Sequence, residues 1–125
     1  MRACFRSLWI AICVGAGLIS GCKEGTTVTP GTIGSADRGR ATIKVYGCGK
    51  CHTIPGIRGA NGVVGPPLES VARRTYIGGN FPNTPDTLTH WIMAPQTMKR
   101  KTAMPSLGLS EPQARDVAAY LETLQ

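Results

Sequence analysis

Aromatic residues are scarce in this chain, and so are acidic ones. Two Trp, three Tyr and two Phe make up 6% of 125 positions. Seven Asp and Glu face fourteen Lys and Arg, for a net charge of +7. So few large rings, together with sixteen Gly and nine Pro, exclude a thick self-sufficient core and predict that something apolar supplies the missing volume. There is no convincing alternation of apolar and polar residues, and no internal repeat, which argues against a β-rich or solenoid architecture. No nucleic-acid-binding motif accompanies the positive charge. A basic surface without such a motif suits acidic partners or anionic membrane, not nucleic acid.

Long hydrophobic runs are also missing. The longest apolar stretch is Leu8 to Ile19, too short for a permanent transmembrane helix. Arg2 and Arg6 precede it, and Ile19-Ser20-Gly21-Cys22 follows it. A charged start, a short apolar run and a small-residue cut site read as a secretory signal. With cysteine at its end, the site resembles the lipobox of bacterial lipoproteins. That resemblance implies cleavage before Cys22 and lipid on the Cys22 sulfur. Residues 1–21 are then a signal peptide, 22–35 a lipidated N-terminus and flexible tether rich in Gly, Thr and Pro, and 36–125 the folded domain. Losing Arg2 and Arg6 lowers the net charge from +7 to +5.

Cysteine is sparse once this is taken into account. Of five cysteines, Cys4 and Cys13 leave with the signal and Cys22 takes the lipid. Only Cys48 and Cys51 remain, which excludes a disulfide scaffold and assigns the pair a local task.

The remaining sequence reads as helices joined by long loops. Ser35 or Asp37 caps a first helix running to about Gly47, with Ile43 and Tyr46 on one face. Glycine is dense from Gly47 to Gly65, which predicts loop, and a short helix fits Leu68 to Arg74. Thr84-Pro85-Asp86 opens a helix whose apolar stripe is Leu88, Trp91 and Ile92. Pro95 stops it, and an irregular loop is expected over 95–109. Ser110 and Gln113 fit a capping box ahead of Val117, Tyr120, Leu121 and Leu124. The expected fold class is all-α: a small domain whose long loops wrap around a bound group.

Cys48-Gly49-Lys50-Cys51-His52 names that group. C-x-x-C-H is the signature of covalent haem c attachment. Two thiols three apart can form thioethers with the two vinyl groups on one porphyrin edge, and the adjacent histidine presents an imidazole nitrogen to iron. A thioredoxin-type C-x-x-C would need a βαβ context. A zinc site would have to use Cys48, Cys51, His52 and His90, with an adjacent Cys-His pair that suits zinc poorly. A plain disulfide leaves His52 without a role. For the second axial ligand the candidates are His90, Met93, Met98 and Met104. His90 is about 200° around its helix from Leu88 and points away from the apolar stripe. Met93 suits core filling. Met98 precedes Lys99-Arg100-Lys101, which prefers water, whereas Met104 precedes the rigid Pro105. Met104 is therefore the expected ligand, and His/Met ligation raises the haem potential.

With these residues in view, positions 36–125 resemble the class I cytochrome c family. Gly65-Pro66-Pro67-Leu68 looks like the family's G-P-x-L. The resemblance implies that the Pro66 carbonyl orients His52 and that Leu68 packs on the haem. Arg74, or its neighbour Arg73, matches an arginine near a haem propionate, and Trp91 matches an aromatic along the haem pocket. Thr102-Ala103-Met104-Pro105 resembles the methionine loop, and Tyr120 and Leu121 match the C-terminal helix that crosses the first. The family's glycine and aromatic, eight and four before the first haem cysteine, fall here on Arg40 and Lys44. Gly39 and Ile43 lie one residue earlier, as if one extra residue were absorbed at Gly47.

The implied role is one-electron transfer by a single haem c, not enzymatic catalysis. Redox partners with acidic docking surfaces are expected to meet Lys50 and the Lys99-Arg100-Lys101 run. The protein is expected on a bacterial membrane, facing the periplasm or the cell exterior. A fixed haem subunit of a larger respiratory complex is the alternative. A haem peroxidase or gas sensor would require an iron with an open sixth position.

Overall fold

A computed structural model describes residues 34–125. Four helices form its frame: α1 (Ala36–Val45), α2 (Pro85–Met93), α3 (Pro95–Met98) and α4 (Glu111–Glu122), with one hairpin, β1 (Tyr76–Ile77) and β2 (Phe81–Pro82). Short 3₁₀ turns cover Cys48–Lys50 and Val71–Arg73. The fold is the small, mainly helical one expected. No helix among the described residues is long and apolar enough to cross a membrane.

Local chemistry explains the helix ends. The Ser35 hydroxyl accepts from the Arg38 N–H at 3.4 Å, and Asp37 and Lys44 sit at the ends of α1 that favour their charges. Thr84 caps α2 by accepting from the Thr87 N–H at 3.2 Å, with Pro85 in the first turn. The Gln113 side chain reaches back to accept from the Ser110 N–H at 2.9 Å, closing the start of α4.

The core is built on α1 crossing α4. A Cβ at Gly39 would lie 1.9 Å from the Asp116 carbonyl oxygen, so the two backbones touch only because residue 39 has no side chain. Ile43, 1% exposed, and the buried Val117, Ala118 and Leu121 fill the seam. Helix α2 packs its buried Leu88 and Ile92 into the same cluster. The Tyr120 hydroxyl donates to the Pro55 carbonyl at 2.7 Å and ties α4 to the loop after the C-x-x-C-H turn.

Several boundaries differ from the sequence reading. Helix α1 ends at Val45, and Gly47, at φ +69°, absorbs the extra residue in the left-handed conformation. As the one-residue offset implied, Gly39 and Ile43 hold the crossing positions, and Arg40 and Lys44 are exposed. The helix expected from Leu68 to Arg74 shrinks to the turn Val71–Arg73. Pro95 ends one helix and opens another, α3, inside a stretch expected to be irregular. The hairpin was not expected at all.

Candidate functional site

Gly47 turns the chain out of α1 and into the Cys48–Lys50 turn. The N–H groups of Cys51 and His52 both donate to the Cys48 carbonyl, at 3.2 and 3.0 Å. Residues i and i+3 eclipse on such a turn, so Cys48 and Cys51 share one side of it. Both line a single cavity, together with His52. The glycine-dense loop folds back over this turn. Gly62 N–H donates to the Gly49 carbonyl at 3.1 Å and Gly65 N–H to the Cys51 carbonyl at 2.8 Å. A Cβ at Gly49 would lie 2.6 Å from the Ala60 side chain, and one at Gly62 would lie 2.4 Å from the Lys50 carbonyl. Close backbone packing accounts for those glycines.

His52 is fixed from two directions. Its Nδ1 lies 2.8 Å from the Pro66 carbonyl oxygen. A carbonyl only accepts, so Nδ1 carries the proton and Nε2 keeps its lone pair. Gly65 lies against the flat of the ring, where a Cβ would be 2.3 Å from Cε1. A histidine whose second nitrogen is tied to a carbonyl is in the state that metal ligation requires.

The cavity measures about 680 Å³ and draws walls from α1, α2, α4, the hairpin and both long loops. That lies within the usual range for a bound cofactor, roughly 300–1,000 Å³. Its lining is mainly aliphatic, with Ile54, Leu68, Val71, Leu109 and Val117 among the contributors. Trp91 reaches it from α2, held against Phe81 with ring centroids 5.9 Å apart. The hairpin closes on Trp91 at Gly78, at φ +58°, where a Cβ would meet the indole at 2.7 Å. Arg74 lines the cavity while its guanidinium donates to the Pro67 and Glu69 carbonyls. Arg73 is exposed and outside the wall.

Among His90, Met93, Met98 and Met104, only Met104 lines this cavity. Its N–H donates to the Thr102 hydroxyl at 3.3 Å, and Thr102 N–H donates to the Lys99 carbonyl at 3.0 Å, so the loop is folded locally. Met93 packs against the core, Met98 ends α3, and His90 is exposed on α2. Cys48, Cys51, His52, Pro66, Leu68, Arg74, Trp91 and Met104 therefore surround one space. Cys22 lies outside the described residues.

The walls also contain residues the sequence reading passed over. Tyr46, Tyr76, Ile77 and the Gly78-Gly79 turn belong to the lining. A signal for the hairpin existed: Tyr76-Ile77 and Phe81 flank a Gly-Gly-Asn turn.

The rivals for Cys48 and Cys51 fit poorly. The two thiols are free, not joined. Burial pushes the Cys48 thiol up, opposite to the lowered thiol of a C-x-x-C redox centre. No group of three His, Cys, Asp or Glu among the described residues is placed to hold a metal ion, as zinc would need. Two thiols on one side of a turn, an oriented imidazole and an apolar chamber fit haem c.

Residues 36–125 match the family model described as Cytochrome c. The chain belongs to the cytochrome c family, whose cofactor is covalently attached haem c and whose members transfer electrons. Over 91 residues it is 31% identical to cytochrome c oxidase subunit 2 of Alkalihalophilus pseudofirmus; the match covers 72% of this chain and 26% of that one. The chain thus spans about a quarter of that relative's length.

Proposed function

We propose that this protein is a mono-haem one-electron carrier held at a bacterial membrane by lipid on Cys22. The observation that carries the electron-transfer reading is that His52 and Met104 line the same cavity as Cys48 and Cys51. Haem c supplies reversible Fe(III)/Fe(II) cycling when bound, and His/Met ligation gives it a raised potential. In this reading Cys48 and Cys51 bind the haem covalently, and Pro66 holds the proton on Nδ1 so that His52 Nε2 serves as a ligand. Met104 would supply the second ligand, so that protein side chains would occupy both places where peroxide or dioxygen could bind, which speaks against an enzymatic role. Leu68 and Trp91 exclude water along the ring, and Arg74 is the cation for a propionate.

The mouth of the cavity suits transient docking. Val64, 77% exposed, Tyr76 and Leu107 combine exposed apolar surface with a position in the wall, and Lys50 and Lys99 stand among them. Lys99 Nζ donates to the Gly78 carbonyl at 3.0 Å, which holds one cation at the rim. A basic rim around an apolar opening favours acidic redox partners and fast, salt-sensitive association. After removal of the signal peptide (1–21), lipid on Cys22 and the tether (22–35) would keep the domain near a membrane, in the periplasm or at the cell exterior.

A second reading, a fixed haem subunit of a respiratory complex, draws support from the oxidase-subunit relative. Purification in mild detergent separates the two: a shuttle elutes alone, whereas a fixed subunit brings its complex. The electron-transfer reading is tested by a potentiometric titration of the purified protein. A reversible one-electron wave at positive potential is expected, with exchange to an acidic partner slowing steeply as salt rises. An irreversible wave, or turnover of peroxide, would contradict it.

A further inference from the structure

A second groove adjoins the haem cavity at the Cys48 turn. It measures about 190 Å³ and is formed by the end of α1, the Cys48–Lys50 turn and the loop around Arg58. Its apolar lining is small, with Gly47, Gly49, Gly59 and Ala60 beside the buried Ile43 and Ile57. Three cations, Lys44, Lys50 and Arg58, line it, and no carboxylate does.

Those three charges come from separate segments, so the fold brings them together. Among the described residues none of them enters an ion pair or a side-chain hydrogen bond; the ion pairs use Arg38 and Arg115. Arg40, the nearest further cation on α1, is committed: it donates to the Gly56 carbonyl at 2.9 Å and braces the loop that carries Arg58. Like charges gathered without a counterion repel one another, and the arrangement becomes favourable when an anion joins them. The α1 C-terminus opposes this with a partial negative charge, which the Tyr46 and Gly47 N–H groups reduce by pairing the Thr42 and Lys44 carbonyls and which three full positive charges outweigh. At Gly59 nothing lies within 4 Å of where a Cβ would stand, so the backbone there is open to close approach.

We infer that this groove is a binding site for a phosphate group. Its volume is below the roughly 300–1,000 Å³ of sites for drug-sized ligands, so it suits a phosphate or a short phosphodiester, not a whole nucleotide. Two sources share that chemistry: a free phosphate compound and the headgroup of an anionic phospholipid. The groove and the haem cavity share Ile43, Gly47 and Lys50 as walls. A bound anion therefore sits one turn from the covalent attachment, where its charge favours the ferric state. Occupancy is expected to lower the haem potential.

The test uses the haem-loaded full chain at constant ionic strength, with calorimetric titration of inorganic pyrophosphate and, separately, of monomeric dihexanoylphosphatidylglycerol. Chloride serves as the control anion. Saturable binding of either probe is expected, weakened at least about tenfold (about 1.4 kcal/mol) in the Lys44→Gln/Arg58→Gln double variant, which removes two of the three charges. The midpoint potential should fall as the probe saturates, and this shift should vanish in the double variant. Pyrophosphate binding alone identifies a free phosphate compound as the source; lipid binding alone identifies a headgroup. Absence of saturable binding by both probes, or binding that the double variant leaves unchanged, overturns the inference. Both substitutions are on the exposed surface, and an intact haem spectrum in the variant separates loss of the groove from loss of the haem site.

Discussion

Asp116 is 6% exposed and charged, a combination that needs partners. It has three hydrogen bonds from two of them. Arg38 donates through Nε at 2.7 Å and Nη2 at 2.8 Å, and the Ser35 N–H donates at 2.6 Å. Burial works against ionisation here, but the Arg38 hydrogen bond, the Ser35 N–H and the Arg38 charge outweigh it and hold the carboxyl below its ordinary value. A carboxyl lowered by folding contributes stability above the ordinary carboxylate range and loses it as pH falls through the folded value. The stability gap between the protein and Asp116→Asn should therefore be full at neutral pH and narrow as the solution is acidified. Denaturant unfolding across that range checks it, and a gap independent of pH would contradict it. This clasp was not legible in the sequence. Arg38 and Asp116 are seventy-eight positions apart, and no local pattern pairs them. By contrast, C-x-x-C-H was legible because its chemistry is confined to five adjacent residues. Neighbouring residues favoured Met104 over Met98, a rigid proline against a charge run, and of the two only Met104 lines the cavity; its role as a ligand is the proposal.

At the scale of elements, readability followed the range of the interactions involved. Helices α2 and α4 carry their own start signals, and both begin where Thr84 and Ser110 indicated. Helix α3 is a single turn after Pro95, too short to show a period. The hairpin pairs only Tyr76 with Pro82 and Ile77 with Phe81, and it is held by packing on Trp91 and by Lys99. Such elements exist because of tertiary contacts, so propensity does not reveal them. The α1–α4 crossing depends on one missing side chain. Gly39→Ala places a methyl 1.9 Å from the Asp116 carbonyl oxygen, and the helices must separate. A gain from helix propensity of up to about 1 kcal/mol is smaller than the overpacking cost of about 1–3 kcal/mol or more. The variant should melt several degrees lower, by circular dichroism. Equal or higher stability would mean that the helices do not approach so closely.

For the whole molecule, the shortage of aromatic side chains and the 680 Å³ chamber are two sides of one fact. The walls are contributed by every major element, so the cofactor is the centre of the core and not an addition to it. Without the cofactor the apolar side chains that line the chamber lose their packing partner, in a domain whose net stability is only about 5–15 kcal/mol. Removing both thioether positions with Cys48→Ser/Cys51→Ser should yield a chain that loses cooperative thermal unfolding unless haem is added. A haem-free variant with a sharp, protein-like transition would contradict that coupling. Charge is also uneven at this scale. Arg38 and Arg115 are spent on ion pairs, whereas Lys99 lines the haem cavity, Lys44 and Arg58 line the adjoining groove, and Lys50 lines both. The molecule thus offers two basic faces with different neighbours, one suited to a redox partner and one to a phosphate group.

The central claim is that His52 and Met104 together hold a covalent haem in this cavity. The most direct measurement is the optical spectrum of the purified protein, oxidised and reduced, with the oxidised scan carried into the near infrared, alongside Met104→Leu and Met98→Leu. The account predicts a c-type reduced α-band in all three. It predicts a weak sulfur-to-iron band in the wild type and Met98→Leu, and its loss in Met104→Leu, whose reduced form should also bind carbon monoxide. A wild-type protein without haem bands would contradict the cofactor assignment, and a sulfur band that survives in Met104→Leu would contradict the ligand assignment.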